Sequence, residues 1–231
     1  MFRDYKPIFE IDYTDIPLFN SKHNIHKKKI KGHSNKIKIF QINNKNVLVF
    51  CGRRHLYQGY DFSEVTVNIK LAYELGIKNI LLTNAAGGLN KKLHAGDLML
   101  IDGFIDLMQS TERGVLSGII EKPFKISTKL TKDLKSTNKL KSGTYAGMLG
   151  PSYETYSEIN LLKHLGASAV GMSTIPEIIC AKSLGMNYAA ISIISNIWDE
   201  KHKPSHKEVL RNVSRANEKL NSTICKILDF V

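Results

Sequence analysis

The chain has few cysteines and no long apolar run, and both features exclude classes of protein that depend on them. Its 231 residues include only three cysteines. Cys51, Cys180 and Cys225 are too few and too scattered for a disulfide framework or a metal site. No apolar run approaches the roughly 20 residues of a membrane span, and the opening sequence MFRDYKPIFE lacks a signal-peptide pattern. We therefore expect no membrane association and a reducing, cytoplasmic compartment.

Aromatic residues are scarce where the positive charge is concentrated. The formal net charge is +12, and most of the excess lies in residues 22–38 and 122–141. Phe124 is the only aromatic residue in these two stretches. A surface that stacks nucleic-acid bases would interleave more aromatic side chains with its basic ones. Both stretches are therefore interpreted as lysine-rich solvated loops, and nucleic acid is not the expected partner.

Length and periodicity predict an α/β fold in a single domain over residues 1–231. Residues 1–30, which contain Pro7 and Pro17, are expected to be irregular. Apolar periodicity predicts strands at 36–42, 46–51, 79–83, 98–101, 145–149, 169–172 and 188–195, and helices at 63–75, 155–165, 176–184 and from 205 onwards. This alternation indicates a central mixed, largely parallel sheet flanked by helices. Ligands of such sheets collect at the carboxyl ends of strands.

The segment GRRHLYQGY, residues 52–60, follows one predicted strand directly. Its arginines have planar guanidinium groups that suit phosphate oxygens, and His55 adds another possible hydrogen-bond donor. An exposed basic turn is the equally open alternative for this segment alone.

Three further segments combine small or polar residues with the end of a strand. TNAAGGLN at 83–90 could bring backbone N–H groups close to an anion. GPSYET at 150–155 carries Glu154 and the flat ring of Tyr153. In GMSTIPE at 171–177, the hydroxyl groups of Ser173 and Thr174 precede a helix, as in many anion sites. A tight turn and two ordinary helix caps are the alternatives for these segments.

Two more side chains complete the set. Asn196 closes the longest predicted strand and offers both a donor and an acceptor. His206 stands at the start of the last predicted helix, where a surface histidine is the alternative interpretation.

Together these segments resemble the trimeric branch of the purine nucleoside phosphorylases. GRRHLYQGY, TNAAGGLN, GDLMLID, GPSYET, GASAVGMSTIPE and SHKEVL match that family's motifs in type, order and approximate spacing. The resemblance implies reversible phosphorolysis of purine nucleosides, in purine salvage, to a free base and (deoxy)ribose 1-phosphate. It also implies a homotrimer, inorganic phosphate as co-substrate, and neither a metal nor an organic cofactor.

The resemblance also implies residue roles. Phosphate would contact Arg53, His55, Ser173, the backbone at Ala85 and, close by, His33. The nucleoside would contact Tyr57, Tyr153, Glu154, Met172, Asn196 and His206, with His206 at the 5′ hydroxyl. Asn196, Glu154 and His55 would be the catalytic side chains. An asparagine at position 196 accompanies 6-oxopurines in this family, so inosine and guanosine are the expected substrates.

Three features depart from the family pattern. No glycine occurs before Gly32, so the family's phosphate-wrapping Gly-Ser-Gly loop has no counterpart here. Gln58 stands where the family has glutamate, and the stretch between Asp102 and Tyr145 is shorter, with Phe124 as a possible stand-in for an aromatic that reaches a neighbouring subunit. Arg54 or the basic run 27–31 could replace the loop. The alternatives are a weak or hydrolytic nucleosidase, an inactive paralogue or, from another class, a nucleic-acid-binding protein.

Overall fold

The computed structural model describes residues 5–19, 33–108, 123–137, 140–198 and 206–229, with the backbone alone at 206–210. A small antiparallel sheet has the order β1 (Phe9–Asp12), β2 (Lys36–Ile42) and β3 (Lys45–Cys51). Asn43 and Asn44 join β2 to β3 with φ of 49° and 61°, values that asparagine tolerates in a tight hairpin turn. The strands predicted at 36–42 and 46–51 are confirmed, and they pair as an antiparallel hairpin.

The N-terminal segment is more ordered than its sequence suggested. Besides β1, it forms short 3₁₀ turns at Tyr13–Asp15 and Pro17–Phe19. Tyr13 and Phe19 are buried, with ring centroids 4.3 Å apart. The prediction of an irregular segment is wrong for residues 9–19, because this stretch gains a strand partner in β2 and buries two aromatic rings. Residues 20–32 lie outside the described part of the chain.

The larger sheet closes on itself. It contains β4 (Asn79–Gly88), β5 (Leu98–Leu107), β6 (Phe124–Lys125), β7 (Lys141–Met148), β8 (Ala169–Gly171) and β9 (Asn187–Ile197). The order is β6-β5-β7-β8-β4-β9, and a further β5–β9 pairing completes the ring. The pairs β4–β9, β5–β7 and β7–β8 are parallel, and the first two have the longest registers of this sheet. The predicted mixed, largely parallel sheet is confirmed.

Six α-helices of the described residues accompany this sheet: α1 (Phe62–Val65), α2 (Val67–Glu74), α3 (Lys129–Thr137), α4 (Tyr156–His164), α5 (Ile175–Ser183) and α6 (His206–Leu228). The helix predicted at 63–75 is broken at Thr66, whose hydroxyl donates to the carbonyl of Phe62 at 2.8 Å. Helix α6 packs its apolar face on β9 through Ala216, Leu220, Ile224 and Ile227. Among the described residues, no helix is both long and apolar enough to cross a membrane.

Helix α3 contradicts part of the interpretation of residues 122–141 as solvated loop. Leu130 and Leu134 are 1% and 0% exposed, and their spacing of four places both on one face. They join the core formed by β5, β9 and α6. Because lysines cover the other face of the helix, the composition of this stretch does not show the apolar face.

Strand β4 continues five residues beyond its predicted end at Thr83. Its register with β9 runs from Asn79 opposite Asn187 to Gly88 opposite Ile197, with one irregularity after Ala86. The segment 83–88 is therefore strand and not a tight turn. This extension carries the backbone of Asn84 and Ala85 across the middle of the sheet.

Candidate active site

Arg53 lies at the point where three parts of the chain meet. It follows β3, and its Nη1 atom donates to the carbonyl of Thr83 in β4 at 2.7 Å. The same nitrogen lies 3.3 Å from both Ser173 Oγ and Thr174 Oγ1, in the loop between β8 and α5. Within the described residues, the other terminal nitrogen, Nη2, has no hydrogen-bond partner. The guanidinium is thus fixed on one side and open to an anion on the other.

A buried carboxylate holds the inner side of Arg53. Glu177 is 2% exposed in the first turn of α5, and its Oε2 lies 3.2 Å from Arg53 Nε. Burial raises the pKa of the Glu177 carboxyl, and the Arg53 charge opposes that rise. A carboxyl group buried this deeply needs such a partner. Glu177 therefore positions the arginine.

The loop before α5 is held in an unusual backbone conformation. Thr174 is fully buried at φ 77° and ψ −38°, a region that costs a β-branched residue about 1–3 kcal/mol. Tyr145 supports the loop because its hydroxyl donates to the carbonyl of Ser173 at 3.1 Å. A Cβ at Gly171 would lie 2.6 Å from that hydroxyl, so only glycine leaves room for it. Ser173 itself stays half-buried at the helix entrance.

Two histidines adjoin Arg53. The backbone N–H of Arg53 donates to His33 Nδ1 at 2.9 Å, and the rings of His33 and His55 have centroids 5.4 Å apart. The ring of Tyr57 stacks on His55 at 4.8 Å. Gln58 Oε1 accepts from the backbone N–H of His55 at 3.0 Å. Burial, helped by the Arg53 charge and by His33, lowers the pKa of His55 to about 3, so its ring is neutral at neutral pH.

The neutral state of His55 predicts a pH dependence of stability. The unfolded chain binds a proton near pH 6.5, whereas folded His55 binds one only near pH 3. Between these values the unfolded state holds more protons, so the free energy of unfolding falls as the pH falls. We expect His55 to contribute a loss of about 2 kcal/mol between pH 7 and pH 5.

Urea unfolding of wild type and His55→Gln at both pH values checks this expectation. The variant should lose less stability on acidification than wild type. His164→Gln, which changes an exposed histidine of α4, is the matched control and should retain the wild-type dependence. Equal losses in wild type and His55→Gln would contradict the neutral assignment.

Ala85 is the exposed residue of a strand segment whose neighbours are buried. It pairs with Ile193 in β9, and Asn84 and Ala86 on either side are 7% and 2% exposed. An exposed position in the middle of a paired strand indicates an open cleft above the sheet. Arg53 donates to the carbonyl of Thr83, two residues earlier, so Ala85 lies close to Arg53 along the same strand.

The GPSYET segment meets Tyr57 and Met172 at Gly150. A Cβ at Gly150 would lie 2.4 Å from Met172 Sδ and 3.3 Å from Tyr57 Cδ1. Gly150 also has φ of 77°, a conformation that favours glycine. Both side chains predicted to contact the sugar thus converge on one point, next to the stacked His55 ring.

Gly150→Ala should displace Met172 and raise the KM for inosine at least about tenfold, since a 1 Å misplacement can cost about 100-fold. The matched control is Gly166→Ala. Gly166 has φ of 85°, but a Cβ there would meet nothing within 4 Å. Steady-state kinetics on both variants separates the effect of backbone strain from that of the contact between the new Cβ and Met172. Equal KM values for the two variants would contradict the view that Met172 shapes the site.

Asn196 lies near the end of β9, over Gly87 of β4. Its Nδ2 would be 3.6 Å from a Cβ at Gly87. The hydroxyl of Ser195 donates to Asn196 Oδ1 at 2.8 Å and lies 3.2 Å from the carbonyl of Ala86. This hydrogen bond uses one lone pair of the amide oxygen and orients the amide, whose Nδ2 is the group that can donate to a ligand.

Glu154 is not the helix cap that the sequence left open as an alternative. Thr155 is the N-cap of α4, and Glu158 closes the capping box with it. The Oε1 atom of Glu154 is buried and has no hydrogen-bond partner in the described part of the chain. Burial, with a smaller effect of the Glu158 charge, raises its pKa. The exposed ring of Tyr153 stands beside it.

Known proteins resemble this chain in sequence. The sequence profile of the Phosphorylase superfamily matches residues 3–229. The rat purine nucleoside phosphorylase is 32% identical over 95% of this chain and 81% of its own length. The chain belongs to the purine nucleoside phosphorylase family. The Geobacillus stearothermophilus enzyme, purine nucleoside phosphorylase 1, is 35% identical over 81% of this chain and 70% of its own length.

Solved structures agree with the family assignment. Two structures of Schistosoma mansoni purine nucleoside phosphorylase, in complex with adenosine and with inosine, superpose with TM-scores of 0.78 and 0.77. Each is 31% identical and covers 96% of this chain and 84% of its own. The predicted activity class, a pentosyltransferase that carries out phosphorolysis of purine nucleosides, is confirmed. The hydrolytic, inactive and nucleic-acid-binding alternatives are not favoured.

Not every position predicted from the family pattern joins the cleft. Arg54 holds the N-terminal segment instead, because its guanidinium donates to the carbonyl of Phe19 and lies 4.8 Å from the Tyr60 ring centroid. Phe124 packs on Phe104 within the chain, and its reach to a neighbour stays a prediction. His206 begins α6, but its side chain and the basic run 27–31 lie outside what is described.

Sequence reasoning missed three positions that shape this candidate site. Glu177 interrupts an otherwise apolar helical turn, IPEIIC, and Tyr145 interrupts a strand of small residues, SGTYAGM. A charged or bulky polar residue at a buried position was the available signal in both cases. Asn84, whose Nδ2 donates to Thr174 Oγ1 at 2.9 Å, was hidden within a supposed turn.

Proposed function

We propose that this chain is a phosphorylase for 6-oxopurine nucleosides, with inorganic phosphate as its co-substrate and no organic cofactor or metal. Inosine, guanosine and their deoxy forms would yield the free base and (deoxy)ribose 1-phosphate, as in purine salvage. The observation that carries the proposal is the open face of Arg53, bordered by the Ser173 hydroxyl.

The phosphate half of the site would consist of Arg53, Ser173, His55, His33 and the backbone at Ala85. Arg53 would supply the full positive charge through Nη2, and Ser173 a hydroxyl donor. Since His55 is neutral, it would contact phosphate by a hydrogen bond and add no charge. The N-terminal end of α5 adds partial positive charge at the same place.

The nucleoside half would join Tyr57 and Met172, which converge at Gly150, to the base-binding residues. Tyr57 and Met172 would contact the ribose, and Tyr153 would pack on the purine ring. His206 remains the proposed partner of the 5′ hydroxyl. The related Schistosoma mansoni enzyme has been solved in complex with inosine, which supports a purine nucleoside as the ligand.

Hydrogen-bond polarity favours a 6-oxopurine. With Oδ1 held by Ser195, the Nδ2 of Asn196 donates, and O6 and N7 of hypoxanthine accept. A Glu154 carboxylate would accept the N1–H of the same base. Adenine instead offers an amino donor at position 6 and an acceptor at N1, so both contacts would be mismatched. Such mismatches leave polar groups unpaired, which makes discrimination strong.

The same residues would stabilise the transition state. Cleavage of the glycosidic bond leaves positive charge on the sugar and negative charge on the purine. Phosphate held by Arg53 would stabilise the sugar cation and attack the anomeric carbon. Asn196 would donate to the purine as its charge grows, so the interaction strengthens where catalysis needs it.

The ratio of kcat/KM for inosine to that for adenosine, measured with phosphate, tests the base assignment. Wild type should prefer inosine by about 100-fold or more. Asn196→Asp, which replaces the donor by an acceptor, should reduce that ratio sharply through loss of inosine activity and gain of adenosine activity. A wild-type preference for adenosine would overturn the base assignment and leave the family assignment intact.

The proposal extends to assembly and location. A homotrimer in the cytoplasm is the state expected from the resemblance, and the free thiols of Cys51, Cys180 and Cys225 suit a reducing compartment. Analytical ultracentrifugation of the purified chain tests the trimer directly.

A further inference from the structure

A chain of hydrogen bonds leads from Arg53 and Asn84 through Thr174 to Ser173. Arg53 Nη1 carries two protons. One is directed to the carbonyl of Thr83 at 2.7 Å. The other lies between Ser173 Oγ and Thr174 Oγ1, both at 3.3 Å, and such equal, long distances are typical of a shared proton. Arg53 therefore occupies one lone pair on each hydroxyl.

Thr174 Oγ1 accepts a second hydrogen bond. Asn84 Nδ2 donates to it at 2.9 Å, so both lone pairs of this oxygen are in use. Its own proton must then be donated. The neighbouring oxygen in reach is Ser173 Oγ, 3.2 Å away.

Ser173 Oγ then accepts hydrogen bonds from Arg53 and from Thr174. A hydroxyl has two lone pairs and one proton, so the remaining group of Ser173 is its O–H. Ser173 is half-buried, whereas Thr174 is fully buried. Of the two hydroxyl groups, that of Ser173 is therefore the one whose O–H can turn towards a ligand.

We propose that Asn84 and Thr174 are positioning residues that hold the Ser173 hydroxyl as a donor towards bound phosphate. The inference rests on the proposed phosphate site. Phosphate dianion is an acceptor at three of its oxygens, so a hydroxyl locked as a donor binds it without first reorienting. A hydroxyl that is free to rotate would present its lone pairs part of the time.

The backbone of Thr174 supports a role beyond packing. A non-glycine residue at φ 77° is rare, and for a β-branched residue it is strained. The strained conformation directs the hydroxyl to the point where Asn84, Arg53 and Ser173 meet. Asn84 is itself only 7% exposed, and it sits in the part of β4 that also presents the Ala85 backbone to the cleft.

The first test replaces the hydroxyl while keeping the shape. Thr174→Val removes the relay and retains the β-branched side chain, and Thr174→Ser restores the hydroxyl without the methyl group. We expect Thr174→Val to raise the KM for inorganic phosphate about tenfold, as for loss of one charge-assisted contact. The KM for inosine should stay within about twofold. Thr174→Ser should return the phosphate KM to near the wild-type value.

Ser192→Ala is the matched control. Ser192 is a fully buried hydroxyl of β9, directly opposite Asn84 in the sheet register, and it has no hydrogen-bond partner within the described residues. Its removal should leave the phosphate KM unchanged. Thermal unfolding of each variant confirms that the fold is retained.

A double-mutant cycle separates the relay from a structural effect. In a Ser173→Ala background, Thr174→Val should no longer change the phosphate KM, because the hydroxyl that it orients is gone. Asn84→Asp should reverse the polarity, since the carboxylate would take the Thr174 proton, and should raise the phosphate KM in a Ser173-dependent way. Additive effects of Ser173→Ala and Thr174→Val would overturn the relay. Phosphate-independent wild-type activity would instead defeat the proposed function.

Discussion

Arg53→Ala should raise the KM for phosphate about 100-fold or more and should also destabilise the protein. The first effect follows because Arg53 is the full positive charge at the proposed phosphate site, fixed by Thr83, Ser173 and Glu177. A charge-assisted contact in such a site is worth about 3 kcal/mol. Steady-state kinetics with varied phosphate and saturating inosine measures it.

The second effect follows from the partner that Arg53 leaves behind. Glu177 is 2% exposed, and removing one partner of a buried ion pair costs about 3–5 kcal/mol. Urea unfolding of Arg53→Ala should show a loss of this order. Adding Glu177→Gln in the same chain should recover much of the stability, because no unpaired carboxyl remains, without recovering the phosphate KM.

The two readouts keep the roles apart. If Arg53→Ala changed the KM for inosine and left that for phosphate unaltered, the phosphate assignment would be wrong. If the double variant recovered both stability and phosphate binding, Arg53 would be a structural residue alone.

Asn196→Ala should lower kcat/KM for inosine about 30- to 150-fold, which corresponds to a loss of 2–3 kcal/mol of transition-state stabilisation. The Nδ2 donor would meet the purine as negative charge develops, so kcat should fall with kcat/KM. Ser195→Ala should have a smaller effect in the same direction, because it releases Asn196 Oδ1 and lets the amide rotate.

Asn46→Ala, an exposed position on the hairpin strand β3, is the control for this prediction and should stay within about twofold of wild type. Single-turnover rates distinguish chemistry from product release. An unchanged kcat/KM in Asn196→Ala would refute the role assigned to the amide.

Local patterns in the sequence were sufficient for most strands and helices. The hairpin at Asn43 and Asn44 could be predicted because asparagine tolerates positive φ. The continuation of β4 to Gly88 could not, because its strand character comes from pairing with β9, a hundred residues later in the sequence. Paired glycines normally indicate a turn, and tertiary pairing overrode that preference.

Helix α3 shows a second limit. Leu130 and Leu134 have helical spacing, but lysines dominate the composition around them, so the stretch read as solvated loop. The leucines are buried because β5, β9 and α6 provide a surface for them. That surface exists only in the folded chain.

Some residues of the candidate site could be predicted from the sequence, and others could not. Arg53, Ser173 and Asn196 follow strands within recognisable motifs, and Arg53 contacts Ser173 as expected of one site. Glu177 and Tyr145 act through partners distant in sequence, so the local pattern marks them as unusual without showing which residues they contact. Hydrogen-bond polarity, on which the relay through Thr174 depends, is visible only once the distances are known.

The most direct test of the proposed function is release of hypoxanthine from inosine by the purified chain, with and without inorganic phosphate, while the sugar product is identified. We predict release that depends on phosphate and yields ribose 1-phosphate. Release without phosphate, yielding free ribose, would contradict a phosphorylase and assign the site of Arg53 and Asn196 to hydrolysis.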